Sequence, residues 1–367
     1  MRTELGCVTV SFGQPPAAAL RASIRAALTE TISQVWNEEL TRCHLLFRSA
    51  TEAERFSVES LRTLGAPAVD VERQPLPAGG TLDRPVFVIA APRSGSTLLF
   101  ELLAAADELW SLDGESHLVI EGVPALATDL RGFESDRLTA ADATAENAAA
   151  LHAGFLTELH DSTHRRYLDR PRGARPSRLR LLEKTPKNSL RVSFLRAAFP
   201  DARIVFLYRS PAQNVGSIVE AWRSGRFVSR PSLPGWSGPP WSLLLPPSWR
   251  ALCSRPLHEI AAFQWQAANN AALDDLQAVA PGDLCVVDYQ EVVAQPQATL
   301  ARLCRFLDVA LGARLQALLS APLALSGSAV TPPDPEKWRR LEPNIEALLP
   351  SLDDTLQRLR ALRQAST

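Results

Sequence analysis

Apolar residues recur along the chain at two spacings, and the change from one to the other divides the sequence. Between residues 16 and 66 they recur every four positions, which is the spacing of an amphipathic helix. The series consists of Leu20, Ile24, Leu28, Ile32, Trp36 and Leu40. A stretch rich in Pro and Gly follows at 67–83 and is typical of a linker. This pattern predicts a helical N-terminal extension over residues 1–80, ahead of a main domain over 81–367.

Continuous apolar runs replace the fourfold spacing in the main domain. They are VFVIAA (86–91), LRLLEKT (179–185), ARIVFLYRS (202–210) and DLCVVDYQ (283–290), and helical patterns lie between them. Strands that are apolar at every position are buried on both faces, and strands that alternate with helices form parallel sheets. The pattern therefore predicts an α/β fold of the P-loop type, with a mainly parallel sheet flanked by helices.

Two segments interrupt this alternation. Residues 136–167 have the composition of a helical insertion, whereas 227–256 form a loop rich in Pro and Trp. A loop of this length inside a compact domain is usually functional, so its apolar side chains are candidates to cover an apolar substrate. They are Trp236, Trp241, Leu243, Leu244, Leu245 and Trp249. The alternative is a loop that packs on its own domain.

Composition and charge narrow the class of protein. The 367 residues carry a formal net charge of −1, which argues against a nucleic-acid partner held by a broad basic surface. The beginning of the chain lacks a signal-peptide pattern, and no window approaches the ~20 apolar residues of a membrane span. We therefore expect a cytoplasmic protein of a bacterium-like cell. The cysteines, which are Cys7, Cys43, Cys253, Cys285 and Cys304, are too scattered for a disulfide framework or a zinc site and are interpreted as small buried hydrophobic residues.

Lysine is rare in this chain. Of the 39 basic residues only Lys184, Lys187 and Lys337 are lysines, and the others are arginines. A lysine supplies a compact ammonium where the planar fork of an arginine does not fit. The three lysines are therefore candidates for positions that require a compact ammonium, and Lys337 is also a candidate for binding the nucleotide.

The first candidate site follows the first strand of the main domain. The apolar run ends at Ala91-Pro92, passes through Arg93-Ser94-Gly95-Ser96-Thr97 and continues with helical spacing from Leu98. Backbone N–H groups from Ser94 to Leu98 at the start of a helix favour an anion, and the hydroxyls of Ser96 and Thr97 add donors. The Walker pattern requires Gly at Ala90 and Lys at Ser96, so this loop differs from that of nucleotide hydrolases. The alternative is a tight turn that uses Gly95 only for its geometry.

A second anion site is predicted at the end of the third strand. That strand ends in Tyr208-Arg209-Ser210-Pro211, and Ser217 follows Arg209 by eight residues. Ser210 suits the N-cap of a helix and Pro211 its first turn. A P-loop hydrolase needs an acidic residue near a strand end to hold magnesium, whereas Arg209 is basic. Two phosphate sites at neighbouring strand ends indicate a nucleotide that is phosphorylated at both its 5′ and 3′ positions.

These two motifs together resemble the sulfotransferase superfamily. Residues 91–97 match its 5′-phosphosulfate loop, and Tyr208-Arg209-Ser210-Pro211 through Ser217 matches its 3′-phosphate motif. The resemblance covers roughly residues 84 to 350, and is strongest to the bacterial group related to tyrosylprotein and polyketide-associated sulfotransferases. It implies sulfuryl transfer from 3′-phosphoadenosine 5′-phosphosulfate (PAPS) to a hydroxyl or amine, which leaves adenosine 3′,5′-bisphosphate (PAP) and requires no metal.

The resemblance also implies roles for single residues. Arg93 faces the oxygen that leaves with the nucleotide, and Lys184 is a second cation at that oxygen. Cytosolic members have a catalytic His two residues after this lysine, where the chain has Pro186. The tyrosylprotein branch has a Glu after the first helix, so Glu115 is the first candidate for the base and His117 the second. An acidic residue beside a helix start and a surface His are the alternatives.

The adenine platform and the acceptor are less defined by sequence. Cytosolic members stack an aromatic residue on adenine directly after the loop, where Leu98 stands here. Trp338, next to Lys337 in the sequence Glu336-Lys337-Trp338-Arg339, is the candidate replacement. We expect a partly apolar small-molecule, lipid or polyketide-like acceptor, and sequence leaves the oligomeric state open. Two other functions remain at this stage, which are a magnesium-dependent P-loop kinase and a nucleotide-binding protein without turnover.

Overall fold

The structure is a computed structural model of the chain, and it describes residues 5–66, 69–76, 80–332 and 334–366. The strands are β1 (Leu5–Phe12), β2 (Ser33–Trp36), β3 (Arg42–Phe47), β4 (Val69–Leu76), β5 (Thr81–Leu82), β6 (Val86–Ala90), β7 (Leu109–Ser111), β8 (Arg178–Glu183), β9 (Arg203–Tyr208), β10 (Val228–Arg230), β11 (Trp241–Ser242) and β12 (Leu284–Asp288).

The helices follow in the same numbering along the chain. They are α1 (Ala18–Ala27), α2 (Ala50–Arg55), α3 (Glu59–Thr63), α4 (Ser96–Leu103), α5 (His117–Ile120), α6 (Ala145–Glu158), α7 (Val192–Ala198), α8 (Pro211–Ser224), α9 (Leu257–Leu276), α10 (Tyr289–Ala294), α11 (Pro296–Leu307), α12 (Ala313–Leu319), α13 (Lys337–Leu341) and α14 (Ile345–Ala365). Short 3-10 helices lie at Pro124–Leu126, Ala140–Asp142, Arg172–Ala174, Pro186–Leu190, Trp249–Leu252 and Pro281–Asp283.

The chain divides into two compact units. The first contains residues up to 83 together with 110–131 and 141–181, and the second contains 84–109, 132–140 and 182 onwards. The first unit holds an antiparallel sheet in the order β2-β3-β1-β4. The predicted helical insertion at 136–167 is helical over α6 (Ala145–Glu158).

The prediction of a helical N-terminal extension is wrong. Helix α1 carries Leu20 and Ile24, but it ends at Ala27, and the fourfold series then continues into β2 and a turn where Leu40 has a φ of 56°. Residues on both faces of β2 are buried, with Gln34 on one face and Ser33 and Val35 on the other, and pairing with β3 satisfies their backbone groups. A spacing of four also places every member of the series on one face of a strand, which is why periodicity alone misassigned this region.

The second unit contains the parallel sheet that the apolar runs predict. Strand β9 pairs in parallel with β12 on one side and with β6 on the other, and β6 pairs in parallel with residues Leu182 and Glu183 of β8. The residues of β6 and most of those of β9 are almost inaccessible to solvent, and helices flank the sheet. The predicted α/β class with a mainly parallel sheet is therefore confirmed.

The Pro- and Trp-rich loop packs largely on its own unit. Trp241 and Trp249 are fully buried, with their ring centroids 5.7 Å apart, and their indole N–H groups donate to the carbonyl oxygens of Leu244 and Phe133. The buried Asp136 carboxylate accepts hydrogen bonds from the Leu245 backbone N–H at 2.7 Å and from Arg230 at 2.8 Å. The expectation that the loop covers a substrate is therefore wrong for Trp241, Leu244, Leu245 and Trp249, which are buried within the protein, and it stays a prediction for the partly exposed Trp236 and Leu243.

The structure also shows the burial of the cysteines and the character of the helices. Cys7, Cys43, Cys285 and Cys304 are buried as expected, whereas Cys253 is partly exposed. In the portion of the chain that the structure describes, no helix has the length and apolar character needed to cross a bilayer.

Candidate functional site

The predicted anion-binding loop joins β6 to α4. The five residues of β6 are buried, and the chain turns through 91–95 before Ser96 begins the helix. Gly95 is the N-cap, and its φ of 92° is a conformation that L side chains rarely adopt. The first N–H groups of a helix have no partner within it, so those of α4 are directed into the concave side of the turn. The loop that the sequence predicts is therefore formed.

Arg93 lies in this loop in a strained conformation. Its φ is 65°, which is uncommon for a residue with a side chain. Its guanidinium lies 4.5 Å from the centroid of the Phe227 ring, and Nη1 donates to the carbonyl oxygen of Ser328 at 2.8 Å. Its Nε is buried and makes no hydrogen bond to any of the described residues. A buried donor without a partner on a partly buried cation is suited to a negatively charged ligand atom.

The second predicted motif stands beside the loop because β6 and β9 are neighbours. Ala90 pairs with Leu207 in the register of these strands, so Arg209 leaves the sheet next to the loop. Arg209 Nη1 donates to the carbonyl oxygen of Arg93 at 3.4 Å. Ser210 is the N-cap of α8 and Pro211 its first residue, as predicted, although the Ser210 side chain makes no capping hydrogen bond. Burial lowers the pKa of Arg209, as it does that of Arg93, and both stay protonated at neutral pH.

Asn214 connects the two motifs. It is fully buried in the first turns of α8; its side-chain oxygen accepts from the Ser94 hydroxyl at 2.7 Å, and its amide nitrogen donates to the carbonyl oxygen of Pro92 at 2.7 Å. One amide thereby fixes the loop against the helix that follows Arg209 and carries Ser217. The sequence shows Asn214 only as a polar residue in a helix, and its partners are fixed by the sheet order.

We expect Asn214→Ala to destabilise the protein by about 1–3 kcal/mol, because it leaves a buried hydroxyl and a buried carbonyl without partners. Chemical denaturation measures this free energy of unfolding. Asn147→Ala is the matched control, since it also removes an amide bond to a backbone carbonyl, that of Asp142 at 2.8 Å, but at a partly exposed position. Equal losses for the two variants would show that the Asn214 bonds contribute nothing beyond ordinary helix contacts.

Tyr289 is a site residue that sequence reasoning missed. It follows β12, whose Asp288 pairs with Tyr208, so three parallel strands end side by side at this edge. The ring lies 4.6 Å from the guanidinium of Arg209, and a Cβ placed on Gly95 would come within 2.3 Å of it. Tyr289 therefore fills the space between the loop and Arg209, and Gly95 is required there for close approach as well as for its backbone angle.

Lys184 follows β8 at the same edge of the sheet as the loop. Its neighbour Glu183 is buried and accepts hydrogen bonds from the Asn188 amide at 2.8 Å and from the Thr185 hydroxyl. These bonds hold the turn after the strand. Burial raises the pKa of Glu101 on α4, whereas the Gly327 backbone N–H and the charge of Lys184 lower it. Lys184 therefore interacts electrostatically with Glu101, on the helix that follows the loop.

Lys337 and Trp338 lie on α13, beside α8. The ammonium of Lys337 donates to the buried Glu220 carboxylate at 2.9 Å and to the Thr331 hydroxyl at 2.8 Å. Trp338 is only 6% exposed, and a Cβ on Gly216 would lie 2.5 Å from its Cβ. Its ring is thus part of the contact between α13 and α8, and its role as an adenine platform stays a prediction.

The two candidates for the base lie in the first unit. Glu115 precedes the short helix α5, which begins at His117, and both side chains are partly buried. Glu115 lines a pocket of the same unit, which contains four further carboxylates. The other polar and charged residues that line this pocket are Asn37, Glu38, Glu39, Arg42, Asp113, Glu158 and His160. The loop residues, Lys184, Arg209, Ser217, Lys337 and Trp338 belong instead to the second unit.

Within the second unit the structure brings together most of the residues that sequence reasoning selected. The loop and Arg209 are in direct contact, and Ser217 and the partner of Lys337 lie further along α8. Among the described residues, no group of three or more His, Cys, Asp or Glu side chains is arranged to hold a metal ion. Besides Asn214 and Tyr289, Glu220 was missed, because a single Glu on a helix has no motif that marks it.

Comparison with known proteins covers most of the residues described above. The sequence model described as the sulfotransferase family matches residues 85–312. Similar solved structures include the sulfotransferase domain of the curacin biosynthetic pathway, at 18% identity over 75% of this chain and 99% of that chain with a TM-score of 0.40. The sulfotransferase domain of the Synechococcus PCC 7002 olefin synthase has 20% identity over 77% and 95%, with a TM-score of 0.40. A mouse sulfotransferase complexed with PAP has 11% identity over 79% and 89%, with a TM-score of 0.40. No curated protein sequence matches the chain significantly.

Proposed function

The chain belongs to the sulfotransferase family, and from this premise we propose that it transfers a sulfuryl group from PAPS to a hydroxyl or amine of a small-molecule acceptor. The observation that carries the choice of donor is the contact between the two predicted phosphate sites. The backbone of Arg93 accepts a hydrogen bond from Arg209, and Asn214 fixes the loop to the helix of Ser217. A nucleotide with phosphates at both ends is the ligand that such a pair of sites suits.

The residues present fit this donor. The N–H groups at the start of α4 and the hydroxyls of Ser96 and Thr97 would hold the 5′ phosphosulfate, and Arg209 with Ser217 would hold the 3′ phosphate. The unpartnered Nε of Arg93 supplies a further donor in the loop. Each interaction is electrostatic and requires groups that are fixed in advance, which the buried Asn214 provides for the loop.

In the proposed reaction the bond from sulfur to the bridging oxygen breaks and a bond from sulfur to the acceptor atom forms. Arg93 and Lys184 stabilise the negative charge that develops on the departing oxygen, and PAP leaves with the electron pair. The acceptor proton passes to a base, for which Glu115 is the first candidate and His117 the second. The acceptor is proposed to be a small molecule, and the protein to act in the cytoplasm.

A transfer assay with a labelled donor tests the proposal. The protein is incubated with ³⁵S-labelled PAPS and a panel of alcohols, phenols, amines and lipid or polyketide-like acceptors, with EDTA present. We expect a ³⁵S-labelled product from PAPS in the presence of EDTA, and no phosphorylated product when ATP and magnesium replace PAPS. Phosphate transfer from ATP that EDTA abolishes would support a kinase instead, and binding of PAP without transfer to any acceptor would support a protein without turnover. No observation on the described residues favours either alternative.

We expect Arg209→Ala and Ser217→Ala to remove the preference for a 3′-phosphorylated nucleotide. Each variant should bind PAP about ten times more weakly, since one contact to a charged group is lost, and bind adenosine 5′-phosphosulfate with little change. Calorimetry with both nucleotides measures the ratio of the two affinities. Arg203→Ala is the matched control at the opposite end of β9. An unchanged ratio in both variants would exclude these residues from the 3′ site.

A further inference from the structure

Glu220 is a buried carboxylate that the proposed reaction does not use. It lies on α8, one helical turn after Ser217, and is 6% exposed. One oxygen accepts from the Thr331 hydroxyl and the other from the Lys337 ammonium at 2.9 Å. A carboxylate buried at this depth is costly unless it is paired and hydrogen-bonded. The pairing of Glu220 with Lys337 and Thr331 meets that requirement.

The surroundings of Glu220 are those of a site for anions. Burial lowers the pKa of Arg93, the Glu220 carboxylate acts in the opposite direction, and the charges of Arg209 and Arg226 lower it further. Glu220 likewise opposes the effect of burial on the pKa of Arg209. A lone negative charge here would repel a phosphorylated ligand. Because Lys337 Nζ is within 2.9 Å, the pair presents a dipole to the ligand, whose field is much weaker than that of a free carboxylate.

The ammonium of Lys337 has more donors than its protein partners use. A lysine ammonium has three N–H groups, and two of those of Lys337 donate to Glu220 and Thr331. The third N–H makes no hydrogen bond to a described residue, and the side chain is 19% exposed. Two fixed bonds remove most of the freedom of a flexible four-carbon chain before any ligand arrives. The remaining N–H is thereby held in one direction.

We propose that Glu220 is a positioning residue that fixes Lys337, through the Glu220–Lys337–Thr331 hydrogen bonds, for contact with the phosphorylated nucleotide. This inference rests on the proposed function, because it needs a nucleotide at the loop. It predicts that neutralising Glu220 weakens nucleotide binding, whereas simple electrostatics predicts tighter binding. Removing a negative charge from an anion site should strengthen binding, whereas removing a support for Lys337 should weaken it.

A double-mutant cycle with PAP as the probe tests the proposal. Glu220→Gln keeps the side-chain volume, and we expect it to weaken PAP binding about 5- to 10-fold in calorimetry. Lys337→Met should weaken binding by a similar factor. In the Lys337→Met background, Glu220→Gln should change affinity less than twofold, because residues that act through one another are not additive. In the transfer assay, Glu220→Gln should raise the KM for PAPS and leave kcat within about twofold.

Glu342→Gln is the matched control. Glu342 is also buried, pairs with Arg223 of α8 at 2.6 Å, and follows α13 directly, so it connects the same two helices. It should lower the midpoint of thermal unfolding as much as Glu220→Gln does and leave PAP affinity unchanged. Equal weakening of PAP binding by both variants would show that Glu220 only holds the helices together.

The remaining outcomes separate this inference from the proposed function. Tighter PAP binding by Glu220→Gln, or additive effects in the cycle, would overturn the positioning role while the wild type still binds PAP and transfers sulfate. A wild-type protein that binds neither PAP nor PAPS would overturn the proposed function, and the role of Glu220 with it.

Discussion

Arg93→Ala is expected to lower kcat by about 10²- to 10³-fold, with donor saturating, and to weaken PAP binding less than tenfold. A cation that faces a leaving group acts mainly in the transition state, and loss of one such donor usually costs about this much. The structure adds a reason for the asymmetry. In the proposed site the loop N–H groups and Arg209 bind the nucleotide and Asn214 holds the loop, whereas the Arg93 side chain contacts Ser328 and Phe227. Steady-state kinetics and calorimetry on one preparation measure both quantities.

Two further variants show what the guanidinium contributes. Arg93→Lys keeps the charge but lacks the planar fork and Nε, so we expect only partial recovery of kcat. Arg93→Gly removes the side chain and also the strain of a positive φ, so it should be at least as stable as Arg93→Ala and equally inactive. Near-normal kcat in Arg93→Ala would show that Arg93 is a structural residue and that charge on the leaving oxygen is stabilised elsewhere.

The parallel sheet was predictable because its signal is redundant. Val86, Val205 and Val286 lie in runs that are apolar at every position, and each run is followed by polar residues and a helix. Neither helical nor half-exposed strand periodicity produces such a run. The N-terminal region lacks this redundancy. Its β1 contains Thr9 among the apolar residues, and its β2 has four residues, so pairing across the sheet rather than local pattern determines the structure.

The candidate site likewise contains residues that sequence could identify and residues that it could not. Residues within a contiguous motif, such as Arg93, Gly95 and Arg209, were found because their chemistry is local. Asn214 and Tyr289 acquire their functions only when β6, β9 and β12 are placed side by side, which a motif does not encode. Trp241 and Trp249 of the loop were misinterpreted because composition carries too little information about burial. Composition shows that an apolar side chain needs burial, but it does not show what buries it, and here Trp241 and Trp249 bury each other.

Glu115→Gln is expected to lower kcat by about 10²-fold or more and to leave PAP affinity unchanged. The substitution keeps the side-chain volume and removes the proton acceptor, and loss of a general base usually costs 10²- to 10⁴-fold. Glu39→Gln is the matched control. Glu39 lines the same pocket and accepts a hydrogen bond from Asn37 at 2.6 Å, so it tests whether any carboxylate there has the same effect.

His117→Ala distinguishes the two candidates for the base. Glu115 lies two residues before His117, which is the first residue of α5, so the two variants compare neighbouring positions of the chain. If His117→Ala is inactive while Glu115→Gln keeps its activity, the histidine is the base and Glu115 at most orients it. If both variants are active, neither residue accepts the proton. In that case the base is another residue of the chain.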